Sequence, residues 1–270
     1  MKSGWGIKLI FAIHLHVKDI DVLYTIQKYF GVGNVTIHKD TTIYQVVALK
    51  DLLKIIEHFN VYPLKTKKHS DFLLFKKAYE LISNKEHLIS LQNLVNIRAS
   101  MNKGLPERLL LDFPQTKPET RPEFTLNIKD KLFDMNYWIA GFVDGEGCFY
   151  VKTSKSKTHK LGLSVGLNFI VVQNIRDMEL MEEIKSTQGG CGTITMNESS
   201  GITRYTVSKL SDIQNIIIPF FDKYSLIGDK VKNFEDFKKV SDLMVNKSHL
   251  TEEGLNKILS IKSNMNTNRE

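Results

Sequence analysis

Glu146 stands in YWIAGFVDGEGCFYV, residues 137–151, where Ala140, Gly141, Gly145 and Gly147 leave almost no side chain around it. A helix over residues 137–144, with Asn136 as its N-cap, would end beside that acid. The C-terminal end of a helix carries partial negative charge, so a carboxylate there costs about 0.3–1 kcal/mol unless a cation sits beside it. That placement marks the stretch as one that could hold a metal ion. Gly141 and Gly145 lie four apart on one helix face, and small residues at this spacing let two helix backbones approach closely. Two such helices side by side would pair their terminal acids, a donor set for a hard divalent cation and a phosphate. Asp144 falls at a helix position that argues for a buried hydrogen-bonding role instead.

The elements that would position these groups follow from periodicity. After the helix, Phe149, Val151 and Thr153 alternate with Tyr150, Lys152 and Ser154, and Val165, Leu167, Phe169 and Val171 alternate with Ser164, Gly166, Asn168 and Ile170. Both runs read as half-buried strands. Trp5, Ile7, Leu9, Phe11 and Ile13 alternate in the same way with Gly6, Lys8, Ala12 and His14. Helices are expected over 18–29 and 177–186, hairpins over 33–47 and 192–207, and further helices from Leu49, Asp71, Leu210 and Asn233.

Self-comparison exposes a repeat. YPLKTKKHSDFLLFKKAYELISNKEHL from Tyr62 matches YSLIGDKVKNFEDFKKVSDLMVNKSHL from Tyr224, an offset of 162 residues. Upstream, Gly4, Phe11, Asp19 and Ile26 pair with Gly162, Phe169, Asp177 and Ile184 at an offset of 158, and Met101-Asn102 pairs with Met265-Asn266 at 164. Between the copies stand Pro106, Pro114, Pro118 and Pro122, four of the six prolines, which reads as an extended linker. The chain thus divides into a first repeat over 1–103, a linker over 104–131 and a second repeat over 132–270. The counterpart of Glu146 in the first copy would precede Met1, so the first repeat is expected to lack its motif helix and first strand.

Composition sets the surroundings. A net charge of +7 and a pI of about 9.1 fit a nucleic-acid partner without requiring one. Cys148 and Cys191 are too few for a disulfide framework or a zinc site and suit packing in a reducing compartment. No apolar run is long enough to cross a membrane and no presequence pattern opens the chain. With 31 Lys, 26 Ile and 18 Asn against 5 Ala, usage follows AT-rich coding DNA and points to an organelle genome.

IAGFVDGEG, residues 139–147, resembles the signature of the LAGLIDADG homing endonucleases, and the paired units joined by a linker resemble their two-repeat monomeric members. The likeness covers nearly the whole chain through the motif, the strand after it, the repeated Asn-Lys-x-His-Leu turns and the terminal helices. It implies an α+β fold of two pseudo-symmetric repeats, each helix-strand-strand-helix-strand-strand-helix, whose antiparallel strands form a DNA-binding saddle. It also implies a site-specific endonuclease that hydrolyses phosphodiesters of a long duplex with Mg²⁺ or Mn²⁺, monomeric when complete and without a membrane partner. By resemblance Glu146 is the metal ligand, with the Gly145 carbonyl as a further donor. Ala140, Gly141, Asp144 and Gly145 form the helix interface. Gln173 sits where the family often carries a polar residue that orders metal-bound water, opposite Leu15 in the first copy. Lys230 sits where a basic residue commonly approaches the pocket, with Lys68 its repeat equivalent; a solvated lysine is the rival reading. His87 and His249 in the repeated turns are assigned to capping and packing.

The strands supply the substrate side, since antiparallel ribbons can lie in a major groove while lysines meet phosphates. Tyr150, Lys152, Ser154, Lys155, Lys157, Asn168, Arg204 and Thr206 are the candidates in the second half, and Lys8, His14, His38 and Gln45 in the first; the alternative is a solvated sheet face. Two other functions share this frame: an intron maturase that binds RNA, and a non-catalytic DNA-binding remnant. The organelle is expected to be the mitochondrion, ahead of the chloroplast.

Overall fold

The structure, a computed structural model, describes residues 5–88, 91–101, 104–124 and 134–266. Gly4, Asn102 and residues 125–131 of the expected linker lie outside the described residues. The chain divides into two compact units, Met1–Leu132 and Phe133–Glu270.

In the first unit β1 (Phe11–His16) runs through a 3₁₀ turn at Val17–Asp19 into α1 (Ile20–Phe30), followed by the hairpin of β2 (Asn34–His38) and β3 (Thr41–Val46). Helices α2 (Leu49–Val61), α3 (Lys68–Ser83), α4 (Gln92–Ser100) and α5 (Glu107–Asp112) complete it. The sheet is antiparallel in the order β1-β3-β2. Leu23, Tyr44, Val46, Leu52 and Ile55 form a buried core, with Phe11, Phe30, Phe59 and Phe75 partly buried against it. Gly33 opens the hairpin at φ +82, where a Cβ would stand 2.7 Å from Gln45 O. The expected strand from Trp5 begins only at Phe11. Phe11 pairs with Val46, the last residue of β3, so residues 5–10 lie beyond the ladder. Trp5 turns instead to α5, donating from Nε1 to Asp112 Oδ2 at 2.8 Å.

Within the expected linker, α5 is helical and residues 113–124 bind along α3 and α4. Glu119 N donates to Asn96 O, and Arg121 reaches Asp71 Oδ1 at 2.7 Å, Ser100 O at 2.9 Å and Lys67 O at 3.2 Å.

The second unit carries α6 (Met135–Glu146), β4 (Gly147–Lys155), β5 (Leu163–Asn174), a 3₁₀ turn at Ile175–Asp177, α7 (Met178–Thr187), β6 (Thr193–Asn197) and β7 (Ile202–Val207). Then come α8 (Leu210–Asp212), α9 (Ile218–Lys223), α10 (Lys230–Val245) and α11 (Glu252–Ser263). A π turn at Ile213–Ile217 interrupts the helix expected from Leu210. Pro219 has no N–H to return to the preceding turn, which loosens the helix at that point. The antiparallel sheet runs β4-β5-β7-β6.

The repeat holds to the level of register: Phe11 faces Val46 as Phe169 faces Val207, and Leu15 faces Thr42 as Gln173 faces Thr203. The Tyr44 hydroxyl donates to Val32 O at 2.9 Å, and the Tyr205 hydroxyl to Cys191 O at 3.0 Å. Phe149 of β4 plugs the second core among Phe169, Phe221, Phe234 and Phe237. No helix among the described residues is long and apolar enough to cross a membrane.

Candidate functional site

Helix α6 is capped by Asp134, whose carboxylate accepts from Asn136 N at 2.9 Å, two places earlier than the Asn136 cap expected. It buries Ile139, Ala140 and Val143 and exposes Gly141 and Gly145. A Cβ at either glycine would meet nothing within 4 Å among the described residues. At Gly147 a Cβ would stand 2.5 Å from Val143 Cγ1, so glycine is what lets the chain pass from helix to strand without a gap.

Glu146 is the last residue of α6, exposed and without a hydrogen-bond or ion-pair partner among the described residues. Asp144 behaves differently: its carboxylate accepts from Ile227 N at 2.8 Å and Gly228 N at 3.3 Å. That grip fixes the turn leading into α10, and Lys230 at the start of α10 reaches back to Val143 O at 2.9 Å and Gly145 O at 3.3 Å. An ammonium therefore sits on the negative end of α6, where it offsets the helix dipole. The cation that the sequence calls for beside Glu146 is met in part by Lys230, and the Gly145 carbonyl, expected to be unobstructed, is shared with it. Burial pushes the neighbouring Cys148 thiol up, with the Lys230 charge opposing.

Gly147 pairs with Val171, so Gln173 falls at the same end of the sheet as Glu146, with its Oε1 accepting from Asn174 N at 2.9 Å. Lys68 is exposed at the start of α3 beside the β1 edge. His87 and His249 lie in 3₁₀ turns at Glu86–Leu88 and Ser248–Leu250, and their Nδ1 atoms are buried without a partner among the described residues.

Both sheets turn one face away from the core. On the second, Tyr150 and Lys152 alternate with buried Phe149 and Val151, Tyr150 lies opposite Asn168, and Ser154 meets Ser164 with 2.9 Å between hydroxyl oxygens. Thr206 lies between Ile170 and Thr193, and Arg204 between Val172 and Thr195, so apolar residues interrupt this face. Lys155 alternates to the other side, and Lys157 stands in the connection between β4 and β5. On the first sheet His14, Gln45 and His38 share the outward face in adjacent rows, while Lys8 precedes β1 and is not on it. His16, Thr36, Thr193, Thr195 and Asn197 also belong to these rows; counting every second residue from His14 and Arg204's partner strand would have found them. None of the seven strands among the described residues contains an Asp or Glu, although the chain carries 30. Basic and polar side chains thus stand on both faces without acidic neighbours in the strands.

Comparison with known proteins adds a family and two sets of relatives. Residues 1–79 and 139–241 match the family described as LAGLIDADG endonuclease. "Probable intron-encoded endonuclease 3" of Neurospora crassa is 40% identical over 262 residues, covering 95% of this chain and 48% of that protein. "Probable intron-encoded endonuclease 2" of the same organism is 34% identical over 276 residues, covering 98% and 59%. The chain therefore spans about half the length of the curated relatives it matches. Among solved structures, the I-SmaMI homing endonuclease bound to cleaved DNA superposes with a TM-score of 0.93 at 40% identity, and I-LtrWI bound to target DNA with 0.93 at 41%. Each covers 100% of this chain and 90% of the other.

Proposed function

The chain belongs to the LAGLIDADG endonuclease family, and from that premise we propose that it is a homing-type, site-specific DNA endonuclease that hydrolyses phosphodiesters of a long duplex with a divalent metal. One observation carries the reading: the unpaired, exposed Glu146 carboxylate stands where α6 runs directly into β4, at the edge of a strand face free of acids.

The donor chemistry fits a hard cation held by one carboxylate, a carbonyl, waters and substrate oxygens, the arrangement Mg²⁺ favours. Among the described residues no three His, Cys, Asp or Glu side chains gather into a metal cage. Glu146 and the Gly145 carbonyl would hold Mg²⁺ or Mn²⁺, which when bound supplies Lewis-acid polarisation and charge neutralisation at a phosphate. Lys230 holds a positive charge at the carbonyl end of α6, and Asp144 positions it by fixing the preceding turn. Gln173 orders water at the same sheet end. The exposed Gly141 and Gly145 face of α6 serves as a helix-packing surface that brings a second acid to the site; Ala140, expected on that face, is buried, and the Asp144 carboxylate is engaged by the turn at Ile227 and Gly228. Tyr150, Lys152, Ser154, Asn168, Arg204 and Thr206, with His14, His38 and Gln45, meet the duplex, while Lys155, Lys157 and Lys8 meet phosphates beside it. The AT-biased residue usage and the intron-encoded relatives support a gene in a mitochondrial intron.

The test is Glu146→Gln in the full chain, assayed for Mg²⁺-dependent strand release from a duplex selected by binding. The variant is expected to keep affinity within a few fold and to lose at least about a hundredfold in rate, as removal of an electrostatic group at a reacting phosphate does. Cleavage at the wild-type rate would overturn the assignment of Glu146.

A further inference from the structure

Lys262 closes α11, and its ammonium crosses to the free edge of β4, donating to Thr153 Oγ1 at 2.5 Å and lying 5.8 Å from the centre of the Tyr150 ring. Both partners are neutral, and no carboxylate pairs with Lys262 among the described residues. A hydroxyl and an aromatic face can hold an ammonium in place, but neither cancels its charge. Two of its three N–H groups remain for another acceptor. The position is fixed beside Tyr150, which faces outward opposite Asn168, and next to the outward Lys152. The repeat partner is used otherwise: Arg98, 164 residues earlier, donates to Met101 O and Gly104 O and braces its own turn.

We propose that Lys262 is a phosphate-binding residue of the second unit, contacting the backbone of a nucleic-acid duplex laid along the outward face of β4. The assignment rests on the reading of that face as a DNA surface. Thr153 and Tyr150 act as positioning residues, since they hold the ammonium ready and reduce the side-chain entropy lost on binding.

Binding of the full chain to a mixed-sequence duplex, titrated across monovalent salt, tests it. Lys262→Met is expected to shallow the slope of log K against log salt by about 0.9 and to weaken binding about eightfold at 0.1 M relative to 1 M salt, the effect of one phosphate contact. Lys262→Arg is expected to restore both. An undiminished slope in a folded Lys262→Met overturns the assignment. If that variant does not fold, amine-reactive labelling of the wild type decides instead: duplex should protect Lys262, and unprotected labelling overturns the proposal. Absence of salt-dependent duplex binding by the wild type would overturn the reading of the face itself, a separate result.

Discussion

In the second unit Phe149 fills the space among Phe169, Phe221, Phe234 and Phe237, with ring centroids 5.1–5.4 Å away. In the first unit the four matching rings, Phe11, Phe59, Phe72 and Phe75, line a groove of about 430 Å³ beside the β1 edge. Phe237 is fully buried where Phe75 is only partly so. The strand that follows Glu146 therefore does two things at once: it carries the outward face and it closes the core beneath. Site and stability are coupled through β4 in one unit, and the other shows the same helices without that closure.

Truncating the plug should give the largest effect on stability. Phe149→Ala is expected to cost about 3–5 kcal/mol, transfer and cavity costs together, whereas Phe75→Ala is expected to cost about 1.5–2 kcal/mol because its site is already open on one side. Chemical denaturation can separate the units, because the chain has two tryptophans, Trp5 in the first and Trp138 in the second. Equal losses would show that the groove is not the looser packing it resembles.

A smaller effect of opposite sign sits at Gln188. It is 1% exposed, and neither amide atom meets a partner among the described residues. At the matching place the first unit has Phe30, in ring contact with Phe11, Tyr44 and His58. Gln188→Leu is expected to raise stability by about 1 kcal/mol, since an unmet buried amide costs about 1–3 kcal/mol. A loss on thermal melting would mean that the amide has a partner, such as an ordered water.

The smallest difference is in pH response. Burial lowers the His58 and His69 pKa values from 6.5, Lys65 adding to the effect at His69, and both lie in the first unit. The unfolded chain then binds protons before the folded one does. The stability these groups contribute is present above pH 6.5 and is lost as pH falls through their folded values. Trp5 fluorescence is expected to report earlier acid loosening than Trp138, and His58→Phe, which copies Phe220 of the second unit, should narrow the gap. An unchanged gap would exclude His58 as its cause.

Local pattern carried much of the fold. The two hairpins and their register follow from alternation and from the offsets of 158 to 162, because strand pairing repeats wherever the spacing of turn residues repeats. Asp144, assigned to hydrogen bonding by its helix position, accepts two backbone N–H groups. What escaped are contacts between distant residues. Residues 5–10, expected in the strand, run past the end of β3, with Trp5 on Asp112, and Arg121 on Asp71 binds a proline-rich segment that composition reads as an extended linker. Lys262 on Thr153 spans 109 residues, and nothing in the alternation of β4 marks Thr153 as its holder. The second sheet's polar face was legible, Ile170 within it included, but that Ile170 and Val172 stand directly beside Thr206 and Arg204 appears only once the register is known.

The acid-free strands also bear on how the protein behaves in a cell extract. Without carboxylates in the strands to repel the wrong polyanion, ribosomal RNA and chromosomal fragments are expected to compete, with little discrimination, for the faces proposed to meet DNA. Protein recovered at low ionic strength should carry absorbance at 260 nm, shed it in a salt wash, and elute late from a heparin or phosphocellulose column.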